Sequence, residues 1–216
     1  MDRSTRPDQT QEDRPSLNRS ARISSMVRLV GPGGSGKTTT GGLLAARLGV
    51  SFLDLDRCFS ERVGDISEFI KEHGYDKYAR ENIENYCWLL LQENPGVMAL
   101  SSGFMTYEPN VHPQYSRVRS EVELCPHTFA LLPSFDREVC VFETVRRQVA
   151  RPFSRSRSKE EVVIRARFEV YMAMPVKKVE TMRSARAVVD ELVAALGAED
   201  HEIHEERMDA RKRSMV

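Results

Sequence analysis

Apolar and polar positions come in short alternating blocks along this chain, and the blocks predict strands and helices in turn. Met26-Val27-Arg28-Leu29-Val30 is an apolar run that stops at glycine, and Leu43, Leu44 and Leu48 recur at helical spacing within 37–48. Strand, loop and helix follow from that order. Ser51-Phe52-Leu53-Asp54-Leu55-Asp56 reads as a second strand whose last residues turn polar. Residues 66–73 and 75–93 read as helices separated by Gly74, and 96–100 as a third strand. A fourth strand over 128–132 ends at Pro133, helices follow over 136–150 and 160–174, and 177–181 and 185–196 supply a last strand and helix. Strands alternating with helices at this spacing predict an α/β fold of three layers, a mostly parallel sheet with helices on both faces.

The regular pattern occupies 25–197, one domain by its length. Residues 1–24 are rich in Arg, Asp, Gln, Ser and Pro and lack the apolar stretch of a secretory signal, so they are expected to form a disordered arm. Asp2, Asp8, Glu12 and Asp13 also set this arm apart from an acid-poor transit peptide. The tail over 198–216 is acidic first and basic at its end, which suits a solvated segment or a docking segment. With 30% charged residues, mean hydropathy of −0.46 and no run of about 18 apolar residues, the chain reads as a soluble, cytoplasmic protein. Lys+Arg and Asp+Glu both number 32, so no net field draws it to nucleic acid or to a membrane, and any basic site must be local. Cys58, Cys87, Cys125 and Cys140 form no CxxC pair and no metal-ligand spacing with the histidines, as thiols in a reducing compartment do.

The chemistry begins at Gly31-Pro32-Gly33-Gly34-Ser35-Gly36-Lys37-Thr38, which fits GxxxxGK[ST], the Walker A or P-loop pattern, at every fixed position. Glycines let the backbone curl so that successive N–H groups face phosphate oxygens, and the next helix offers its free N–H groups and positive dipole end to the same anion. Lys37 then reaches the β- and γ-phosphates as a point charge, and the Thr38 hydroxyl ligates Mg²⁺. An apolar strand before the loop and an amphipathic helix after it supply the context that this motif requires.

Asp54 and Asp56 stand two apart at the carboxyl end of the second predicted strand, the edge where parallel sheets bind ligands. One suits the water shell of Mg²⁺, and the other suits orienting or deprotonating an attacking hydroxyl; the plain alternative is that both cap the next segment. Arg146, Arg147, Arg151, Arg155, Arg157 and Lys159 come with no acid between Glu143 and Glu160. This local asymmetry reads as a mobile lid over ATP, against a solvated loop or a nucleic-acid patch; only Phe153 supplies the interleaved aromatic that a patch would use.

Gly31 to Thr39, followed by Leu44-Ala45-Ala46-Arg47-Leu48-Gly49-Val50-Ser51-Phe52-Leu53-Asp54-Leu55-Asp56, resembles the shikimate kinase family, in which a phosphate loop, a helix ending in Leu-Gly and a strand ending in Asp-x-Asp occur in this order. Gly64-Asp65-Ile66 and Ile70 through Gly74 resemble the family's acceptor region, Gly96 to Gly103 its third strand and triple-glycine turn, and Arg151-Pro152-Phe153 its lid arginine and proline. Arg167-Phe168-Glu169-Val170-Tyr171 resembles its Arg-x-x-x-Tyr helix, and Val179-Glu180-Thr181 its final strand.

The resemblance implies a five-stranded parallel sheet in order 2-3-1-4-5, with a lid over about 151–162. It implies an ATP-dependent phosphotransferase acting on a hydroxyl of shikimate or a related ring or sugar acid, as a monomer. Gly31, Gly33, Gly34, Ser35, Gly36, Lys37, Thr38, Thr39 and Arg151 would bind ATP, with Thr38 and Asp54 at Mg²⁺. Lys37, Asp56 and Arg151 would be catalytic, and Asp56, Gly103 and Arg167 would hold the acceptor. Two departures stand out. An aromatic-arginine pair has become Tyr78-Ala79-Arg80, which makes Arg80 the candidate replacement displaced by one residue, and the triple glycine has become Ser101-Ser102-Gly103. A nucleoside monophosphate kinase shares the loop, lid and size, although the Asp54/Asp56 pair argues against it. An ATP-binding regulatory protein that no longer phosphorylates an acceptor is the reading from another class.

Overall fold

The structure is a computed structural model that describes residues 26–92, 96–149 and 157–198. The predicted N-terminal arm, Arg151 and the tail from 199 onward lie outside the described residues. Five strands form one parallel sheet in the order β2-β3-β1-β4-β5: β1 (Val27–Val30), β2 (Ser51–Asp54), β3 (Gly96–Ala99), β4 (Thr128–Leu132) and β5 (Lys177–Glu180). The register sets Val27 beside Val97, Arg28 beside Thr128, Ser51 beside Gly96 and Phe129 beside Lys177.

The period of two along each strand divides the core between two faces. Val27, Leu29, Val97, Phe129 and Leu131 point to one side, where Leu44 of α1 (Lys37–Leu48) and Val188 and Leu192 of α8 (185–198) cover them. Val30, Met98, Ala130 and Leu132 point to the other. That side is covered by α2 (Leu55–Arg62), α4 (Tyr75–Leu90), α5 (Tyr115–Leu124) and α7 (Arg157–Ala173), with Phe59, Ile83, Tyr86, Tyr115 and Tyr171 buried in it. Two-faced burial explains why the strands read as apolar runs rather than as alternation. The short α3 (Ile66–His73) packs on α4, and α6 (Arg137–Val149) packs on α7. Among the described residues no helix is long and apolar enough to cross a membrane.

Three elements differ from expectation. The second strand ends at Asp54, and Asp56 lies in the first turn of α2, because an Asp54 carboxylate oxygen accepts from the backbone N–H of Asp56 (3.1 Å) and of Arg57 (3.3 Å) and caps a helix there. Helix α5 was not predicted, although Tyr115, Val118 and Val122 are buried at helical spacing just beyond Pro113. The helix expected from 160 begins at Arg157, so residues 157–159 of the expected lid also belong to the first turn of α7.

Candidate active site

The phosphate loop crosses from β1 to α1 at the carboxyl edge of the sheet. Gly36 caps α1 with φ of 95°, a conformation that side chains with a Cβ resist, and so turns the chain into the helix within one residue. Distant groups pin the loop. The Thr181 hydroxyl donates to the Ser35 carbonyl at 2.9 Å, Arg147 donates to the Gly34 carbonyl at 3.0 Å, and a Cβ at Gly33 would lie 1.8 Å from the Gln148 amide nitrogen. Lys37 folds back on the loop, with Nζ donating to the carbonyls of Gly31 (2.7 Å) and Pro32 (2.9 Å). Thr39 is exposed beside it.

Across the cleft the Thr38 hydroxyl donates to Asp54 Oδ2 at 2.6 Å, while Oδ1 of Asp54 caps α2. Asp54 therefore caps α2 with one oxygen and meets the Thr38 hydroxyl with the other. A hydroxyl and a carboxylate beside a phosphate loop form an all-oxygen set that suits Mg²⁺. Asp56 is exposed to the cleft, while Oδ1 of its carboxylate is turned into the protein against Ser101 and Tyr78. That burial raises its pKa above the ordinary aspartate range against the Ser101 hydrogen bond; Asp54 adds to the rise, and Lys37 and Tyr78 oppose it. The Ser101 hydroxyl donates to Asp56 Oδ1 at 2.5 Å, and the Tyr78 hydroxyl reaches the same oxygen at 3.5 Å.

Arg167 of α7 donates to the Ser102 hydroxyl (3.1 Å) and to the Tyr75 hydroxyl (3.3 Å). Gly103 makes room for this pair, since a Cβ there would lie 2.3 Å from the Tyr75 oxygen and 2.8 Å from the Arg167 guanidinium. The two serines that replace glycines thus join the site, one on Asp56 and one on Arg167. Tyr75, Tyr78 and Asn82 of α4 join it as well. Their spacing of three and four residues puts them on one helical face, a signal present in the sequence.

Arg80 does not join them. It is exposed, and at about 100° per residue it lies well outside the buried sector that holds Tyr78, Ala79 and Asn82. A one-residue displacement on a helix turns Arg80 to a different sector of α4 from Tyr75, Tyr78 and Asn82. The basic stretch is also less free than its sequence implied. Glu143 holds Arg146 at 2.7 Å and Arg147 at 2.6 Å, and these hydrogen bonds, that of Arg146 first, draw its own pKa down to about 2. A separate hollow of about 400 Å³ near Phe135, Val139 and Met182 is lined by none of the predicted site residues.

Comparison with known proteins identifies the family. A shikimate kinase from Mycobacterium avium is 32% identical over 180 residues, covering 80% of this chain and 93% of the relative, and one from Thermobifida fusca is 29% identical over 175 residues, covering 77% and 91%. Among solved structures, shikimate kinase from Acinetobacter baumannii in complex with shikimate aligns with a TM-score of 0.63 at 22% identity, covering 81% of this chain and 94% of that one, which shows the shared fold. The shikimate kinase family model matches residues 33–197, from inside the phosphate loop to the end of the last helix. The chain therefore belongs to the shikimate kinase family, phosphotransferases that use an alcohol group as acceptor.

Proposed function

We propose that this cleft transfers the γ-phosphoryl group of ATP to a hydroxyl of a small acid, shikimate or a related hydroxylated ring or sugar acid. The observation that carries the reading is the grouping at one sheet edge of a phosphate loop, the Thr38–Asp54 pair, the Asp56 carboxylate and, through Ser102, Arg167. Loop N–H groups and Lys37 hold the triphosphate; Thr38 and Asp54 would hold Mg²⁺, which would neutralise charge on the phosphates. Asp56 orients the attacking hydroxyl and takes its proton. Arg167 pairs with the acceptor's carboxylate, its fork steadied by Ser102 and Tyr75. Arg151 acts from the lid.

The test is a phosphotransfer screen with Mg·ATP over shikimate, quinate, cyclitols, sugar acids and nucleoside monophosphates. A ring or sugar acid should be the best acceptor. Preference for a nucleoside monophosphate, or ATP binding with no transfer at all, would overturn the reading.

The arginines give a sharper expectation. A charge-assisted contact contributes roughly 1.5–3 kcal/mol, so Arg167→Ala should raise the acceptor KM by about 10- to 100-fold. Arg80→Ala should leave KM close to wild type, because Arg80 is exposed on a different sector of α4 from Tyr75 and Tyr78. With one arginine fork in place of two, shikimate should be a poorer acceptor than some related hydroxylated acid. Steady-state kinetics over the screen checks all three statements, and loss of shikimate turnover in Arg80→Ala would contradict them.

A further inference from the structure

Behind Asp56 lies a cluster of buried polar groups whose donors run from Asn82 through Ser101 to the carboxylate. Asn82 Nδ2 donates to the Ser101 hydroxyl at 2.9 Å and to the Tyr107 hydroxyl at 2.8 Å. An amide nitrogen has two hydrogens and accepts nothing, so both hydroxyls must turn their own protons away from Asn82. Ser101 sends its proton to Asp56 Oδ1. The Tyr107 ring packs edge-on against that of Tyr78, whose hydroxyl reaches that same Oδ1 at 3.5 Å. One continuous path from the amide therefore ends on Oδ1, a second hydroxyl reaches the same oxygen, and among the described residues every side-chain hydrogen bond to Asp56 falls on Oδ1.

The cluster carries a cost to fold stability. Asn82 is fully buried, and its Oδ1 has no hydrogen-bond partner, an arrangement that weakens a fold. Its effect is on Asp56: one carboxylate oxygen is used inside the protein and the other is left for the cleft.

We propose that Ser101, with its proton aimed by Asn82, is a specificity-determining residue that takes Oδ1 of Asp56, so that the acceptor is gripped through a single hydroxyl on Oδ2. A second hydroxyl beside the reacting one then meets an Oδ1 already engaged by Ser101, and acceptors that lack it are not penalised. The inference rests on Asp56 as the acceptor-orienting carboxylate.

The test compares two probes with Mg·ATP: a cyclohexene carboxylic acid bearing only the reacting hydroxyl, and its counterpart bearing a vicinal pair. Wild type should show similar kcat/KM for both. Ser101→Gly frees Oδ1, and Ser101→Ala does so while keeping a Cβ; in each, the vicinal pair should become preferred by roughly tenfold or more, as a new hydrogen bond to a charged group implies. A wild-type enzyme that already prefers the vicinal pair tenfold, or a ratio that neither variant moves, overturns the inference and leaves the role of Asp56 standing. If no protein phosphorylates either probe, the reading of Asp56 as holder of a ring-acid hydroxyl falls, and the inference with it.

Discussion

Replacing Lys37 by Ala should lower turnover by about 10²-fold or more, since one preorganised electrostatic donor to the transferring phosphoryl group is typically worth that much. In the free protein the ammonium is not idle. It is buried and donates to the carbonyls of Gly31 and Pro32, so it also ties the two ends of the phosphate loop's first turn. Its loss should therefore lower stability as well, by about 1–3 kcal/mol for hydrogen bonds made by a charged group, with the fold retained. Phosphotransfer kinetics and thermal unfolding of the same purified variant separate the two effects. A wild-type rate in a folded Lys37→Ala protein would remove this loop from catalysis.

Asp56→Asn should depress phosphotransfer by about 10²–10⁴-fold, the usual contribution of a positioned general base, while ATP affinity stays close to wild type. The substitution keeps the shape of the side chain. An amide oxygen in place of Oδ1 still accepts from Ser101, whereas the amide nitrogen would face the acceptor hydroxyl as a donor where an acceptor of its proton is needed. Separate measurement of acceptor turnover and nucleotide binding is decisive here. Equal loss of both would move Asp56 from the acceptor side to the metal side, beside Asp54.

What the amino-acid sequence determined by itself is the part whose physics is local. GxxxxGK[ST] specifies a loop within eight residues, because the glycines, the lysine and the helix that follows act on one another across a few bonds. Apolar blocks at strand and helix period determined the sheet and its covering, and all five strands stand within two residues of their expected ends. Where local signals competed, the reading slipped: the polar end of the second strand carried both a strand continuation and a helix cap, and in the structure the cap prevails.

Tertiary structure alone decided the contacts between residues far apart in the chain. Thr181 pins Ser35 across 146 residues, and Arg147 pins Gly34 across 113. Ser101 meets Asp56 across 45 residues, and Arg167 meets Ser102 across 65. The departures at Ala79, Ser101 and Ser102 were visible as letters, yet their consequences were not. Whether Arg80 reaches the cleft depends on the rotation of α4 against the core, and whether a serine crowds an acceptor or serves the site depends on which side chain it meets. Both are set by packing between α4, α7 and the loop after β3, and no short stretch of sequence contains that packing.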